Sequence, residues 1–498
     1  MFETAELGRN IERDAYDKRV PELRVELLAA QAKLLNEARS SVVVVIAGVD
    51  GAGKGDTVNT LHEWMDSHYL ETHAFGTPSE EERERPAMWR FWRELPVKGR
   101  IGIYFGSWYT QPIIRRVYGQ ADEAEFLGEL RHIQDFERML AEDGTLVLKY
   151  WFHLSKKEQK KRLKKLSSDP DRAWRVGPTD REHSKHYDDF VVTCERALRE
   201  TSTGMAPWQV IEGTHRRYRE VAVAEHLLAA LRGHLEAHSA PPAVEAPRIE
   251  WGTQPTVLSA LDMQVKLPED EYEAALSHLQ ARLNEISRDA QATGATLLCV
   301  FEGPDAAGKG GAIRRVTRAL DARAYRVIST AAPSDEEKAR HYLWRFWRHI
   351  PRAGRVAIFD RSWYGRVLVE RVEGYASPAE WRRAYNEISE FEELLIERGV
   401  GLVKFWLHID LDEQAKRFEE RKNTPYKEFK ITAEDYRNRD HWTEYEQVVH
   451  EMVERTSTYQ APWTLIAAND KRHARIEVLK VLCASFENCV ARARKREK

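Results

Sequence analysis

Gly303-Pro304-Asp305-Ala306-Ala307-Gly308-Lys309-Gly310-Gly311 follows the apolar run Thr296 to Val300 and precedes a helix-like stretch. Strand, glycine-rich turn and helix in that order make a phosphate cradle. The backbone at Gly303, Ala306, Ala307, Gly308, Gly310 and Gly311 surrounds an anion, and Lys309 reaches over it. In the common form of this loop a Ser or Thr after the lysine gives its hydroxyl to Mg2+. Gly310 stands there instead, so the compensating oxygen is assigned to Asp305, inside the loop. A carboxylate pressed among phosphates is repelled unless a cation lies between, so Asp305 implies a metal. Asp360, which ends the apolar strand Val356 to Phe359, is the candidate second ligand, although an Asp at a strand end is ordinarily a turn or cap residue. Arg361 and Arg366 come next and suit the neutralisation of a transferring phosphoryl group, because arginine makes bidentate contacts that lysine does not. Arg314 and Arg315, one turn into the loop's helix, could extend a track for a phosphate chain. The chemistry these residues can do together is phosphoryl transfer.

The same pattern occurs earlier. Gly48-Val49-Asp50-Gly51-Ala52-Gly53-Lys54-Gly55 precedes the second loop by 255 residues (309 minus 54), and Ser107 precedes Ser362 by the same offset. Trp344-Arg345-Phe346-Trp347-Arg348 repeats Trp89-Arg90-Phe91-Trp92-Arg93; Lys404, Trp406 and His408 answer Lys149, Trp151 and His153. A repeat this long is a tandem domain rather than a solenoid unit of roughly 20–50 residues. The copies differ where chemistry is expected. Phe105 replaces Asp360, Gly106 replaces Arg361 and Gln111 replaces Arg366; Asn59, Thr60 and Glu63 replace Arg314, Arg315 and Arg318. One metal carboxylate and a group of cations are missing together, so the first half is expected to be inert, although Asp50 and Lys54 remain. Residues shared by both halves, namely the Trp344/Phe346/Trp347 cluster, Trp363, Tyr364 and the two histidines, are read as packing. Glu302, which becomes Ala47, gains some functional weight.

Elements must position these groups. Each half reads as alternating strands and helices, hence a parallel sheet covered on both faces. In the second half we expect a helix over 272–291, strands at 296–302, 326–330, 355–360, 400–408 and 463–467, and helices over 335–348, 378–398 and from 411 toward 421. Ligands in such sheets gather at the carboxyl ends of the strands. The chain of 498 residues, 42% hydrophobic and 32% charged, is long enough for two cores: domains at 1–235 and 257–498, with an Ala/Pro-rich linker at 236–256. No apolar run approaches the roughly 20 residues of a membrane span. A net charge of −3 gives no general affinity for nucleic acid, so any polyanion site must be a local concentration of cations. Four cysteines without metal-ligand spacing predict a reduced, cytoplasmic setting.

Residues 303–311, Tyr342-Leu343-Trp344-Arg345 and Phe359-Asp360-Arg361-Ser362-Trp363-Tyr364 with Arg366 resemble the polyphosphate kinase 2 family, and the tandem arrangement resembles its fused, two-domain branch, the polyphosphate:AMP phosphotransferases. The resemblance implies an α/β fold of two P-loop kinase domains similar to thymidylate kinase, each with a helical lid. It implies Mg2+ held by Asp305 and Asp360, with Lys309 and Arg361 as catalytic residues. Inorganic polyphosphate and AMP or ADP would be the partners, in either direction of transfer. A mobile basic lid would fall on 416–439, with Arg417, Arg421, Lys422, Lys427 and Lys430 as ligand contacts; a solvated helix face explains those charges equally well. Related single-domain members associate through copies of one fold, so the two halves are expected to pair as a pseudo-dimer, and the protein to oligomerise. An ATP-dependent nucleoside monophosphate kinase is the alternative, opposed by the missing Ser/Thr after Lys309 and by the extra arginines. A non-catalytic nucleotide sensor fits the first half only.

Overall fold

The computed structural model describes residues 1–238, 255–424 and 433–496. The chain forms two compact units, one around each of two five-stranded sheets. In the first the strands are β1 (Val42–Gly48), β2 (Leu70–Ala74), β3 (Ile101–Phe105), β4 (Leu146–His153) and β5 (Trp208–Glu212), in the spatial order β2-β3-β1-β4-β5. The second sheet holds β6 (Leu297–Glu302), β7 (Tyr325–Ser329), β8 (Val356–Asp360), β9 (Gly401–His408) and β10 (Trp463–Ala467), and its order β7-β8-β6-β9-β10 is the same topology. All pairs are parallel.

Central parallel strands are buried on both faces, which is why β6 reads as a continuous apolar run rather than an alternation. Leu297, Leu298, Cys299, Val300 and Phe301 are all fully buried. At roughly 1.5–3 kcal/mol per buried large side chain, a charge at Val300 would break the sheet. Because β6 lies between β8 and β9, its carboxyl end opens where neighbouring connections leave in opposite directions, and the phosphate loop and Asp360 meet there.

Helix boundaries follow local chemistry. The helix Glu269–Thr293 stops at Gly294, which takes a left-handed φ of 68°. Ser377 caps Pro378–Glu397 in a reciprocal box with Glu380, with proline at the tolerant first position. Asp410 caps Leu411–Lys422 through the Glu413 amide. The single helix expected over 335–348 is instead two short ones, Asp335–Lys338 and Trp344–Trp347. The first carries only charges, whereas Tyr342, Leu343, Trp344, Phe346 and Trp347 are all buried. One straight axis cannot give its first turn to water and bury nearly every side of its last, so the chain turns between them.

The shared residues are packing, as expected. In each unit a buried lysine bonds a buried glutamate, a tyrosine hydroxyl and a threonine carbonyl: Lys404 with Glu392 (2.8 Å), Tyr364 (3.0 Å) and Thr456 (2.7 Å), and Lys149 with Glu137, Tyr109 and Thr201. All four cysteines are free and buried. Among the described residues no helix is long and apolar enough to cross a membrane.

Candidate active site

Gly303 opens the loop with φ 143°, and a Cβ there would lie 2.3 Å from the Leu407 carbonyl oxygen, so only glycine lets β6 turn so close to β9. Behind the loop, Arg417 is buried and donates to the carbonyls of Ala306 (2.9 Å), Ala307 (3.0 Å), Ala468 (2.7 Å) and Asn469 (2.9 Å), with its Nε on Glu413 (2.6 Å). All five of its N–H groups are engaged. The expectation that Arg417 is a lid cation is therefore corrected: it is a strut that fixes the loop's shape. Arg162 does the same work in the first unit, on the carbonyls of Gly51 (2.8 Å) and Gly213 (3.2 Å).

On the open side, Asp305 accepts from the Arg361 guanidinium at 2.5 Å and from the Asn438 amide at 3.0 Å. Burial pushes the Asp305 carboxyl up, but Arg361, Lys309 and these bonds outweigh it and hold it below the usual carboxylate range. It stays ionised. Lys309 is buried, and its ammonium donates to the carbonyls of Gly303 (2.5 Å) and Pro304 (3.1 Å). Burial, then Arg361, lowers its pKa, against Asp305, Asp360 and Glu302. Both aspartates thus act on one ammonium. Asp360 pairs in register with Phe301, and its carbonyl accepts from Thr330 at 3.0 Å. Glu302 is buried and accepts from the Ser362 hydroxyl at 2.7 Å; burial raises its pKa.

Arg361 holds a left-handed backbone, φ 63°, a conformation that costs a non-glycine residue roughly 1–2 kcal/mol. Its amide donates to Phe301 (3.1 Å) and its carbonyl accepts from Thr330 (2.9 Å), so both neighbouring segments enforce the turn. Gly106, the counterpart, has φ 73° without that strain. The strained arginine is found only where a guanidinium reaches a loop aspartate.

Arg314 and Arg315 lie at the start of the loop's helix. Arg315 donates to the Gly311 carbonyl (3.3 Å), and Arg314 lies beside Gly310. A third member, Arg475 from the last helix, lies against Gly311 and feels both. Sequence reasoning missed it. Arg366 is held elsewhere: it pairs with Glu370 (3.1 Å) and Glu380 (3.6 Å) and stacks over Tyr342, and none of its ion pairs among the described residues reaches Asp305 or Asp360. Of the remaining lid candidates, Lys422 pairs with Glu419 on an exposed face, Arg421 is half-buried, and Lys427 and Lys430 lie outside the described residues. Asn438, inside the expected lid but uncharged, was also missed.

The first unit keeps the paired loop carboxylate but not the row of arginines. His183, at the position of Asn438, lies 2.9 Å from the Asp50 carboxylate, and Lys54 lies 3.4 Å away. Burial opposes ionisation there, yet Lys54 and His183 bring the Asp50 carboxyl down to about 2. Where the second unit gathers Arg314, Arg315 and Arg475, the first has Asn59, Thr60 and Glu220, with Thr60 donating to Glu220 at 2.9 Å.

Two hard carboxylate donors beside a phosphate loop suit a small divalent cation. Among the described residues no cluster of three or more His, Cys, Asp or Glu side chains could hold a metal ion alone.

A parallel sheet whose central strand ends in a glycine-lysine loop, flanked by an aspartate-arginine strand end, defines a P-loop kinase-like phosphotransferase. The family model described as Polyphosphate kinase 2 matches residues 10–239 and again 266–494, and the chain belongs to that family. It is 52% identical over 491 residues to a polyphosphate:AMP phosphotransferase of Pseudomonas aeruginosa, covering 98% of this chain and 99% of the relative. A relative of the same name from Acinetobacter johnsonii is 37% identical over 467 residues, covering 93% and 95%. A crystal structure of a P. aeruginosa protein assigned as a polyphosphate kinase 2 superposes with a TM-score of 0.88 at 50% identity, covering 98% of this chain and 99% of that one.

Proposed function

We propose that this chain moves a phosphoryl group from inorganic polyphosphate to AMP, giving ADP. The observation that carries the reading is end-to-end similarity, through both domains, to relatives named for that reaction. An ATP-dependent nucleoside monophosphate kinase is not favoured, since Lys309 lacks the usual hydroxyl neighbour.

The reaction unites two anions, so positioning and charge stabilisation supply most of the rate. We assign the work to the second domain. Lys309 and the amides of Ala306, Ala307, Gly308, Gly310 and Gly311 would seat a phosphate at the helix N-terminus. Arg361, fixed by its bond to Asp305, would meet charge developing on the transferring group. Arg314 and Arg315, joined by Arg475, would follow the donor chain, whose charge needs several cations in line. Asp305 and Asp360 would hold Mg2+, which supplies charge neutralisation between donor and acceptor phosphates. Arg366, tied to Glu370 and Glu380, would act by shaping the wall around Tyr342. The unpaired cysteines support a cytoplasmic setting. ADP formation from AMP and Mg2+ with either polyphosphate or ATP tests the reading: turnover with polyphosphate is expected, and turnover with ATP alone refutes it.

A further inference from the structure

The first domain keeps a cavity at its loop after losing the groups that phosphate chemistry needs. The space is about 240 Å3. Phe75, Phe105, Trp151, Phe190, Ile114 and Val191 form much of its wall, and Asp50, Lys54 and Gln159 line one end. Phe105 stands where the second domain has Asp360, so a metal ligand has become a ring. The Asp50 carboxylate is already matched by two basic groups, His183 at 2.9 Å and Lys54 at 3.4 Å. The Gln159 amide is likewise engaged, with the Asp50 carbonyl at 3.4 Å. Among the described residues no arginine lines the space. A polyphosphate entering it would exchange water for aromatic rings, with only Lys54 and His183 to offset its charge and both already turned to Asp50, which is unfavourable.

An uncharged planar molecule meets the opposite situation. Rings on several sides offer stacking and edge contacts. Trp151 lends the space its ring, while its indole N–H is buried away from it. The N–H of Trp406 at the matching position is buried in the same way, so that feature belongs to the fold; what is particular to the first domain is the ring-lined space. The size is below the roughly 300–1,000 Å3 of drug-sized pockets. We propose that the first domain binds an uncharged, planar aromatic molecule of nucleobase to nucleoside size, held by stacking and edge contacts with these rings.

Adenosine is the probe, titrated calorimetrically into the full chain alongside pyrophosphate. Adenosine could also enter the second domain, so variants separate the sites. Val191→Trp and Ile114→Trp place an indole in the cavity from two different walls, both half-buried and tolerant of a larger group. The expected result is one-site adenosine binding that weakens at least tenfold in each filled variant and persists in Asp305→Asn, with polyphosphate-to-AMP turnover of the filled variants unchanged. The inference is overturned if wild-type protein gives no adenosine heat, if both filled variants bind as wild type does, or if Asp305→Asn alone abolishes binding. Should one filled variant fail to fold, the other and the wild-type titration decide.

Discussion

Replacing Arg361 by glycine and by alanine separates what this residue costs from what it does. Both changes delete the guanidinium and its bond to Asp305, so both lose the same contact and should lose a similar share of rate. They differ only in backbone. At φ 63° a Cβ-bearing residue carries roughly 1–2 kcal/mol of strain, which alanine keeps and glycine releases. Glycine gives back about 0.4–1 kcal/mol through the greater freedom of its unfolded chain. The balance, about 0–1.6 kcal/mol and centred near 0.8, leaves the glycine variant the more stable, the reverse of the usual order, in which alanine is the stabilising choice. Chemical denaturation of the two purified variants at matched concentration reads this difference, and ADP formation from polyphosphate and AMP reads the rate. Activity should fall in both by about 10²–10³-fold, the scale for removing one preorganised donor from a transition state. If alanine equals or exceeds glycine in stability, the turn is not strained and the reasoning fails. If either variant keeps wild-type turnover, Arg361 does not meet the transferring group.

Asp360→Asn should cut turnover by at least about 10²-fold while Asp50→Asn leaves it intact, measured as ADP formation; equal losses would mean that both loops work. Arg417→Ala leaves four carbonyls behind the loop without their donor, so it should destabilise the second domain by about 3 kcal/mol in urea unfolding and weaken AMP binding; a purely catalytic loss with unchanged stability would contradict the strut. Burial brings His408 down to about 4, against the ordinary 6.5 that the unfolded chain retains. Between those values the unfolded state holds more protons, so stability is complete above pH 6.5 and falls with decreasing pH, by about 2 kcal/mol at pH 5. His408→Gln should flatten that slope in urea midpoints; an unchanged slope would assign it to other groups. Lys404→Met strands the buried Glu392 carboxylate and should cost about 3–5 kcal/mol, and Lys404→Met with Glu392→Leu should recover most of it.

The strands were legible because central parallel strands must be apolar throughout, and β10 was read to the residue. Arg361 stood out because the first copy has Gly106 there, and Asp305 because Gly310 leaves the loop without a hydroxyl; their direct bond joins two motifs 56 residues apart. Arg417 was misread because a charged residue on a charged helix looks solvated until its partners are known, and those lie 51 to 111 residues away in sequence. Its match to Arg162 was available in the repeat, and residues kept by both halves had otherwise been assigned to packing. Asn438 and Arg475 escaped because one is neutral and the other sits in a helix read only as closing the fold. Their replacement by His183 and Glu220 was the signal. The break at 339–343 has no proline or glycine to announce it; it follows from burial alone.

Glu220 in place of Arg475 bears on how a polymeric donor is shared out. A protein with two equally basic loops would let each long anion partition between them, and every molecule lodged at the barren one would be withdrawn from turnover while still counting as bound. Withholding the row of arginines from one mouth removes that decoy. If only the second domain turns over, as proposed, capture scales with a single productive entrance, and the duplicated fold carries no kinetic penalty for its other copy.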